Sequence, residues 1–421
     1  LLKGSTHSVD EEVYRVELPG PPILGEGKPE NQNHAIIFTR GEVMQVIDMN
    51  QDGYLEEAFK VRNLLQEFAL SAKDEDNDGC GLSPSSRLTI LGIREHIFTG
   101  SVSSTANFFS LQESAFVSMV QRVMADPLRV RFHYGHPDWF DRVAVITQGG
   151  VSKASKGINL SEDVFAGYNH VLRGGAVQMR EYMQVGKGRD VGLSSCAKFE
   201  AKVASGTAEQ VISRDVRRLA HALDFFRHQS FFFSANGFYL STVLLLATIY
   251  IFAYGNLYFV FAGIDGETEG LGDDSELRLW ILNLEFLLQL GLASVLPMLL
   301  QLILELGLSA ALIELIRIWV QLGPLFYGFL LGVKAHFTER TLSFGGAKYI
   351  STGRGFVVAH ETFAAYYRTY AVPIFYRAFE VVVILSFTAA YKDVSGLRYW
   401  LATFSLWIIS MAWLLSPFLF N

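Results

Sequence analysis

A run of 24 residues without a single charge, 239–262, constrains the fold of this chain more than any other feature of its sequence. A helix needs about 20 consecutive apolar residues to cross the hydrocarbon core of a bilayer. Polar positions do not recur often enough to give such a helix a face toward water. The run therefore predicts a transmembrane helix rather than a buried helix of a large soluble protein.

Further apolar segments in the C-terminal half extend this membrane region. The other predicted crossings are 279–303, 371–390 and 399–420. Segment 308–333 is also apolar, but it contains Glu314 and Arg317, and a charge at the bilayer centre is costly. We therefore expect 308–333 to be re-entrant or to lie along the membrane interface.

The distribution of basic residues predicts the orientation of these spans, since Lys and Arg are enriched in short cytoplasmic loops. Four arginines lie shortly before the first span, whereas the segment just after it is acidic. The sequence therefore predicts a cytoplasmic unit over residues 1–230 and a membrane unit over 231–421. Within the membrane unit, the basic segment 334–370 is predicted to be a cytoplasmic loop.

Composition excludes several classes of protein. The chain is 50% hydrophobic and 18% charged, whereas soluble domains carry about 25% charged residues. This hydrophobicity excludes an intrinsically disordered chain, and two cysteines are too few for a disulfide framework. A net charge of -7 argues against a general nucleic-acid binder.

The N-terminal unit alternates short apolar runs with helical ones, which predicts an α/β fold with a mostly parallel sheet. The predicted strands are 34–40, 43–48, 88–98 and 143–150, the predicted helices are 54–70 and 110–125, and 71–87 is a predicted mobile loop. Ligands of such sheets bind beyond the carboxyl ends of the strands, so we expect a site there.

Two acidic clusters resemble calcium loops, but each lacks the bidentate Glu required at position 12, where Phe59 and Ser85 stand. The first cluster, which begins at Asp48, still ends a predicted strand and is placed to face a cation or a ligand hydroxyl. His133 and His136 lack the intervening Glu of a metalloprotease helix, so we interpret them as structural residues of a turn.

Charge concentrates in the last third of the N-terminal unit. After a basic, glycine-rich turn come Glu162, Asp163, Lys187, Arg189 and Lys202. Taken one at a time, these residues are explained by a helix N-cap with surface ion pairs. Taken together, they predict a site that handles an anionic substrate.

Three long stretches are more specific than any of these motifs: NQNHAIIFTRGE from Asn31, GGVSKASKGINLSEDVFAGYN from Gly149, and LSFGGAKYISTGRGF over 342–356. They resemble the catalytic subunit of 1,3-β-glucan synthases, the family of fungal glucan synthases and plant callose synthases. The resemblance covers most of 25–230 and pieces of the rest. Because chains of that family are several times longer, we expect a C-terminal fragment of the catalytic subunit.

The resemblance implies an α/β GT-A-like (Rossmann-related) cytoplasmic glycosyltransferase domain followed by an all-α transmembrane bundle. Residues 1–230 would be the C-terminal part of that domain. The activity it implies is that of a processive, inverting glucosyltransferase. The enzyme would transfer glucose from UDP-glucose to the C3 hydroxyl of a growing 1,3-β-glucan and extrude the product through the membrane.

The resemblance also implies roles for particular residues. Asp163 matches the base that deprotonates the acceptor hydroxyl, with Glu162 beside it, and Lys202 is a candidate for stabilising the departing UDP. The residues implied to bind substrate are Lys28, Asn31, Asp48, Lys187, Arg189, Glu209, Gln210 and Arg214. The last three loosely resemble the Gln-x-x-Arg-Trp acceptor motif of cellulose and chitin synthases, with a spacing one residue longer and without the Trp.

No metal is assigned, because Lys and Arg side chains can replace a divalent ion at the diphosphate; Mg²⁺ bound with UDP-glucose stays open. The expected partners are UDP-glucose, the growing glucan, the lipid bilayer and a Rho-type GTPase of the kind known for fungal members, and the expected location is the plasma membrane. Two alternatives stay open. One is a cellulose- or chitin-type synthase, and the other is a non-enzymatic channel with a regulatory domain.

Overall fold

A computed structural model describes residues 2–3, 10–11, 15–21, 28–48, 50–71, 87–100, 103–125, 128, 136–153, 160–189, 191–262, 296–348, 361–391 and 396–420. In these ranges a mixed α/β unit is followed by long apolar helices. The strands are β1 (Leu2–Lys3), β2 (Asp10–Glu11), β3 (Val43–Gln45), β4 (Gln51–Asp52), β5 (Leu88–Phe98), β6 (Trp139–Asp141) and β7 (Ala176–Gly188).

Five of these strands form one mixed sheet in the order β3-β6-β5-β7-β4. The long central strands β5 and β7 are parallel, with Ile90 opposite Val177 and Ile97 opposite Lys187. The other three pairings are antiparallel. The prediction of a mostly parallel sheet was therefore wrong, because three short strands join the central pair in the opposite direction.

The helices of this unit cover both faces of the sheet. They are α1 (Lys28–Ala35), α2 (Leu55–Ala58), α3 (Val61–Ser71), α4 (Ser104–Ser114), α5 (Gln121–Ala125), α6 (Arg142–Gln148), α7 (Glu162–Leu172), α8 (Leu193–Ile212), α9 (Arg214–Ala222) and α10 (Phe225–Phe231). Val145 of α6 and Ala166 of α7 pack on one face around Ile90, and Leu64 of α3 packs on the other face against Leu91.

Several predicted elements are confirmed, since 88–98 is β5 and 110–125 lies within α4, a π-helical turn (Ala115–Val120) and α5. The predicted helix 54–70 forms in two pieces, α2 and α3. The predicted loop 71–87 lies outside the described residues except at its two ends.

Two predicted strands are helical. The segment 34–40 ends α1 and continues as a 3₁₀ turn (Ile36–Phe38), so only Val43–Gln45 of this region is a strand. The apolar run 143–150 lies in α6, where the side chain of Asp141 accepts a hydrogen bond from the amide of Ala144 at 2.9 Å. Gly149, at φ 128°, ends that helix. The N-cap at Asp141 and the glycine at position 149 favour a helix here, whereas the apolar pattern alone cannot distinguish a short helix from a strand.

The C-terminal half consists of long apolar helices. They are α11 (Gly237–Ala262), α12 (Leu296–Leu306), α13 (Leu308–Val320), α14 (Gly323–Phe344), α15 (Phe363–Tyr370), α16 (Tyr376–Tyr391) and α17 (Gly396–Leu419). Turns of π-helix join α10 to α11 (Phe232–Asn236) and α15 to α16 (Ala371–Phe375). Among the described residues, the continuous helices Phe225–Ala262 and Phe363–Tyr391 are long and apolar enough to cross a membrane.

The segment predicted to be re-entrant or interfacial is broken in the structure. Helices α13 and α14 meet at a bend of 74° around Leu322, so the pair is either a broken span or a re-entrant loop. Its placement in the membrane stays a prediction. Of the predicted span 279–303, residues 279–295 lie outside the described residues.

The predicted cytoplasmic loop 334–370 is partly helical. Its first residues continue α14 as far as Phe344, and its last residues form α15. Lys334, one of the basic residues behind that prediction, is buried. The basic-residue rule counts a lysine in the same way whether it lies in a loop or in the middle of a packed helix. Lys334 is therefore no evidence for a loop.

The sheet-containing unit and the apolar helices share one hydrophobic core. Helix α8 lies along α14, and the rings of Phe108 and Phe326 are 5.5 Å apart. The hydroxyl of Tyr327 donates to the carbonyl of Phe108 at 3.1 Å. The predicted boundary at 230/231 is therefore a change of composition and not a gap in packing.

Candidate active site

Polar side chains collect at one edge of the sheet, where β5 and β7 end. Strand β3 also ends there and leads to Asp48, while β6 begins there, directly after His136 and Asp138. The buried carboxylate of Asp138 accepts a hydrogen bond from the amide of Ile93 on β5 at 3.2 Å. The antiparallel short strands thus add their own chain ends to the edge at which α/β sheets bind ligands.

The first turn of α7 brings two carboxyl groups to this edge. Lys28, at the start of α1, lies with its Nζ 3.4 Å from Glu162 and 3.9 Å from Asp48. Glu162 is buried, whereas Asp163 is half-buried and accepts the amide of Val164 at 2.9 Å. We call Lys28, Asp48, Glu162, Asp163 and Lys202 the carboxylate centre.

A close approach of two segments positions this centre. Ser161 has a φ of 59°, unusual for a residue other than glycine, and its turn packs against Gly206 of α8. A Cβ at Gly206 would lie 3.3 Å from Leu160 and would overlap the hydroxyl of Ser161. Lys202 lies one helical turn before Gly206, so its side chain is on the face of α8 that meets the start of α7.

The protonation of the two carboxyl groups is set by burial and by mutual repulsion. Burial raises the pKa of Glu162, and the neighbouring charge of Asp163 raises it further. The charges of Lys28 and Lys202 oppose this rise in the pKa of Glu162. Glu162 therefore holds a proton more readily than an ordinary glutamate does.

Lys187 and Arg189, predicted to bind substrate, lie in a buried ion network. Lys187 contacts Glu95 at 2.8 Å and Glu113 at 3.5 Å, and Arg189 binds Glu113 through two hydrogen bonds of 2.5 and 2.6 Å. Burial raises the pKa of Glu113, but Arg189 and Lys187 outweigh it and hold that pKa below its usual value. These cations are bound to carboxylates rather than open to solvent.

Gln51 connects the ion network to the carboxylate centre. Its side-chain amide donates to Glu95 at 2.6 Å and to the carbonyl of His136, and its Oε1 accepts the amide of Asp48 at 2.8 Å. Gln51, Glu95 and Glu113 were not among the predicted site residues. The one sequence signal for them is a Glu inside the predicted strand 88–98.

Helix α1 contributes through the neighbours of Asn31 rather than through Asn31, which is exposed. Gln32 Nε2 lies 2.9 Å from the ring Nε2 of His136, and Asn33 Oδ1 accepts the amides of Val151 and Ser152 at 3.0 and 3.2 Å. Burial, followed by the charge of Lys28, lowers the pKa of His136. His136 lies in a turn, and His133 is outside the described residues.

A cavity of about 430 Å³ is lined by residues outside the carboxylate centre. Glu209 and Arg214 line it together with Lys153, whose backbone amide donates to the carbonyl of Glu162 at 3.1 Å. Burial raises the pKa of Glu209 to about 7. Gln210, the third residue of the loose acceptor motif, is instead buried and accepts the hydroxyl of Tyr168 at 3.1 Å.

Among the described residues, no group of three His, Cys, Asp or Glu side chains lies close enough to hold a metal ion. Mg²⁺ bound together with UDP-glucose stays a prediction, because this ion is usually held by one or two carboxylates and the substrate phosphates. The chemistry available at this edge is that of carboxylates, lysines and backbone amides.

Fold and site together define a class: a membrane protein whose mixed α/β unit holds a carboxylate centre at a sheet edge and packs on apolar helices. The chain matches the family model described as 1,3-beta-glucan synthase component over residues 2–421. It belongs to the 1,3-β-glucan synthase family.

Among curated relatives from Arabidopsis thaliana, it is 53% identical over 431 residues to callose synthase 3 and 52% identical over 427 residues to callose synthase 7. It is 52% identical over 412 residues to callose synthase 11. These matches cover 100%, 100% and 97% of this chain, but 21%, 21% and 23% of those proteins. The chain thus spans about a fifth of the length of the curated relatives it matches.

Proposed function

We propose that this chain is part of a processive, inverting glucosyltransferase that builds 1,3-β-glucan from UDP-glucose and extrudes it through the membrane. The observation that carries the proposal is the carboxylate centre, in a member of this family. Its two adjacent carboxyl groups lie at the edge where α/β sheets generally bind ligands, with the Nζ of Lys28 3.4 Å from Glu162.

Inversion at the anomeric carbon needs one base for the acceptor hydroxyl and positive charge for the departing diphosphate. Asp163, the more exposed carboxylate, takes the proton from the C3 hydroxyl of the glucan end, while Glu162 holds Lys28 in place. Lys28 and Lys202 stabilise the negative charge that develops on UDP. The sugar and ribose hydroxyls bind near Asp48 and Asn31.

Two further groups of predicted residues take less direct parts. Lys187 and Arg189 keep the sheet edge rigid through Glu95 and Glu113 rather than contacting the diphosphate. Glu209 and Arg214 bind the acceptor glucan in the cavity that they line. The α/β unit faces the cytoplasm of a plasma-membrane enzyme, with a GT-A-like fold, and a Rho-type GTPase remains a predicted partner.

The test uses the full-length protein that carries this chain, in membrane fractions supplied with labelled UDP-glucose. We expect a labelled polymer that endo-1,3-glucanase digests, and a loss of about 10²–10⁴-fold in its synthesis for Asp163→Asn. The matched control is Glu56→Gln, which changes an exposed carboxylate of α2. Full activity of the Asp163→Asn enzyme would exclude Asp163 as the base, and a 1,4-linked product would exclude the assigned linkage.

A further inference from the structure

A carboxylate lies in the middle of the apolar helices. Glu380 of α16 accepts hydrogen bonds from the hydroxyl groups of Tyr250, at 3.2 Å, and Tyr254 on α11. It lies well inside the candidate span Phe363–Tyr391, and the two tyrosines lie midway along α11. Because an ionisable group at the bilayer centre is costly, such residues mark polar pathways.

Among the described residues, two tyrosine hydroxyls donate to Glu380 and leave it with unused acceptor capacity. An ionised carboxylate accepts about four hydrogen bonds, and the tyrosines supply two. Both Glu380 and Tyr254 are exposed on the surface of the described helices. A lipid tail offers no donor to this carboxylate, so the chemistry of the site favours a ligand rich in hydroxyl groups.

Aromatic rings continue from Glu380 along the same two helices. The rings of Tyr250 and Tyr254 are stacked with centroids 6.3 Å apart, and those of Phe387 and Tyr391 are stacked at 6.2 Å. Tyr391 in turn lies 6.3 Å from Phe261, at the end of α11. Aromatic faces pack against the C–H faces of sugar rings, while carboxylates and phenols bind their hydroxyls.

We call the side chains from Glu380 to Tyr391, with their partners on α11, the row, and these contacts fix its direction. Tyr250 and Tyr254 of α11 contact Glu380 of α16. Phe261, further along α11, contacts Tyr391, further along α16. The two helices are therefore parallel. The row from Glu380 to Tyr391 is about 16 Å long at 1.5 Å per residue, about half of a bilayer core. It ends on the side opposite the α/β unit, because α11 starts beside Phe231, whose ring packs 5.5 Å from Tyr168 of α7.

The transferase-proximal side of the row is polar. Arg377, one turn before Glu380, donates to Glu339 of α14 at 2.7 Å. Ionic groups thus lie nearest the α/β unit, a carboxylate with phenols lies at the centre, and aromatic rings lie at the far end. This gradient suits an uncharged polymer of sugars that moves from water into the membrane and out again.

We propose that the exposed face formed by α11 and α16 around Glu380 binds the glucan chain as it crosses the membrane, with Glu380, Tyr250 and Tyr254 as a sugar-binding subsite at the bilayer centre. The proposal rests on the proposed function, since it needs a 1,3-β-glucan as its ligand. The competing explanation is that the tyrosine–glutamate hydrogen bonds only hold α11 against α16.

The experiment uses the full-length protein in sealed proteoliposomes whose α/β unit faces outward. Labelled UDP-glucose is added outside, and glucan that has crossed the membrane is protected from external endo-1,3-glucanase until detergent is added. The quantity measured is protected glucan per UDP released. The variants are Glu380→Gln and Tyr254→Phe, and the control is Leu244→Ala, which changes an exposed apolar residue of α11.

We expect Glu380→Gln to lower protected glucan per UDP released about tenfold, the factor expected for one charge-assisted hydrogen bond. Tyr254→Phe, which leaves the Tyr250–Glu380 bond in place, lowers the ratio less, and Leu244→Ala keeps the wild-type ratio. A purely structural role predicts that UDP release and glucan fall in proportion, with an unchanged ratio in both variants, and this result overturns the inference. If the wild-type protein makes no 1,3-glucan at all, the proposed function fails instead.

Discussion

The side chain of Gln51 joins the buried ion network to the two loops that carry Asp48 and His136. Its amide satisfies Glu95, and its oxygen satisfies the backbone of Asp48. The position of Asp48 beside Lys28 therefore depends on Gln51, a neutral side chain that cannot itself act as an acid or a base.

Replacing Gln51 tests this dependence. Gln51→Leu removes the hydrogen bonds from its side-chain amide to Glu95 and to the carbonyl of His136, and the one from the amide of Asp48 to its oxygen. We expect this loss to cost about 1–3 kcal/mol of the free energy of unfolding. We also expect a higher KM for UDP-glucose, because the Asp48 loop loses its anchor. Gln66→Leu, on the exposed face of α3, is the control. An unchanged KM together with an unchanged melting temperature would contradict the role of Gln51.

Glu209 gives a prediction for the pH dependence of stability. Burial raises its folded-state pKa to about 7, above the value of 4.5 for an ordinary glutamate. The folded protein thus binds the proton more tightly than the unfolded chain, so this group's contribution to stability is lost as pH rises from about 4.5 through 7.

The Glu209→Gln variant lacks this loss. We expect the melting temperature of the variant, relative to wild type, to be higher at pH 7.5 than at pH 5, measured on the detergent-solubilised full-length protein. Glu56→Gln serves as the exposed control with no such trend. A constant difference between the two pH values would show that Glu209 does not titrate in this range.

At the level of elements, long patterns were predictable and short ones were not. The run 88–98 is a strand and the first charge-free run is a helix, because each is long enough for its pattern to be unambiguous. The run 143–150 became a helix through Asp141 and Gly149 at its ends. There, the capping residues at the two ends of the helix outweighed the strand-like apolar pattern between them.

The residues of the candidate site were also predictable only in part. The resemblance supplied Asp48, Glu162 and Asp163, since those residues stand in recognisable stretches of sequence. Gln51 and Glu113 could not be found, because each acts through partners on distant elements, such as the contact of Glu113 with Arg189. Only the assembled sheet brings those partners together.

The contact between α7 and α8 leads to the next prediction. Gly206→Ala places a methyl group against Leu160 and Ser161, so the Ser-Glu-Asp turn must move away from Lys202. We expect a loss of about 1–3 kcal/mol in stability, together with a lower kcat.

Its matched control is Gly255→Ala in α11, where an added Cβ meets nothing within 4 Å. There the greater helix propensity of alanine makes the change neutral or stabilising by about 1 kcal/mol. Equal activity and equal melting temperature of the two variants would contradict the close approach at Gly206.

At the scale of the whole molecule, composition suggested two separate units, but the structure joins them through a buried ion pair. Lys334 of α14 lies 3.4 Å from Glu200 of α8, and its Nζ is 5.4 Å from the ring centroid of Phe238 on α11. Gln112 also donates to Glu200 at 2.5 Å. Because α8 carries Lys202 as well, the pair connects an apolar helix of the C-terminal half to the carboxylate centre.

Breaking the pair on one side should cost more than removing it from both sides. Lys334→Met leaves Glu200 buried without its cation, which costs about 3–5 kcal/mol. The double variant Lys334→Met/Glu200→Gln retains an oxygen that accepts from Gln112 and should recover most of that stability. Arg317→Met, which breaks the exposed pair with Glu314, is the control and should cost at most about 1 kcal/mol.

The double variant also separates stability from catalysis. If the pair only fills a buried site, recovery of the melting temperature restores kcat along with it. If the pair sets the register of α8 against α14, kcat stays low in the stable double variant, because Lys202 no longer sits at a fixed place beside Glu162. Since no other ion pair among the described residues joins α8 to α14, we expect the second result, measured as UDP release by the full-length protein in membranes.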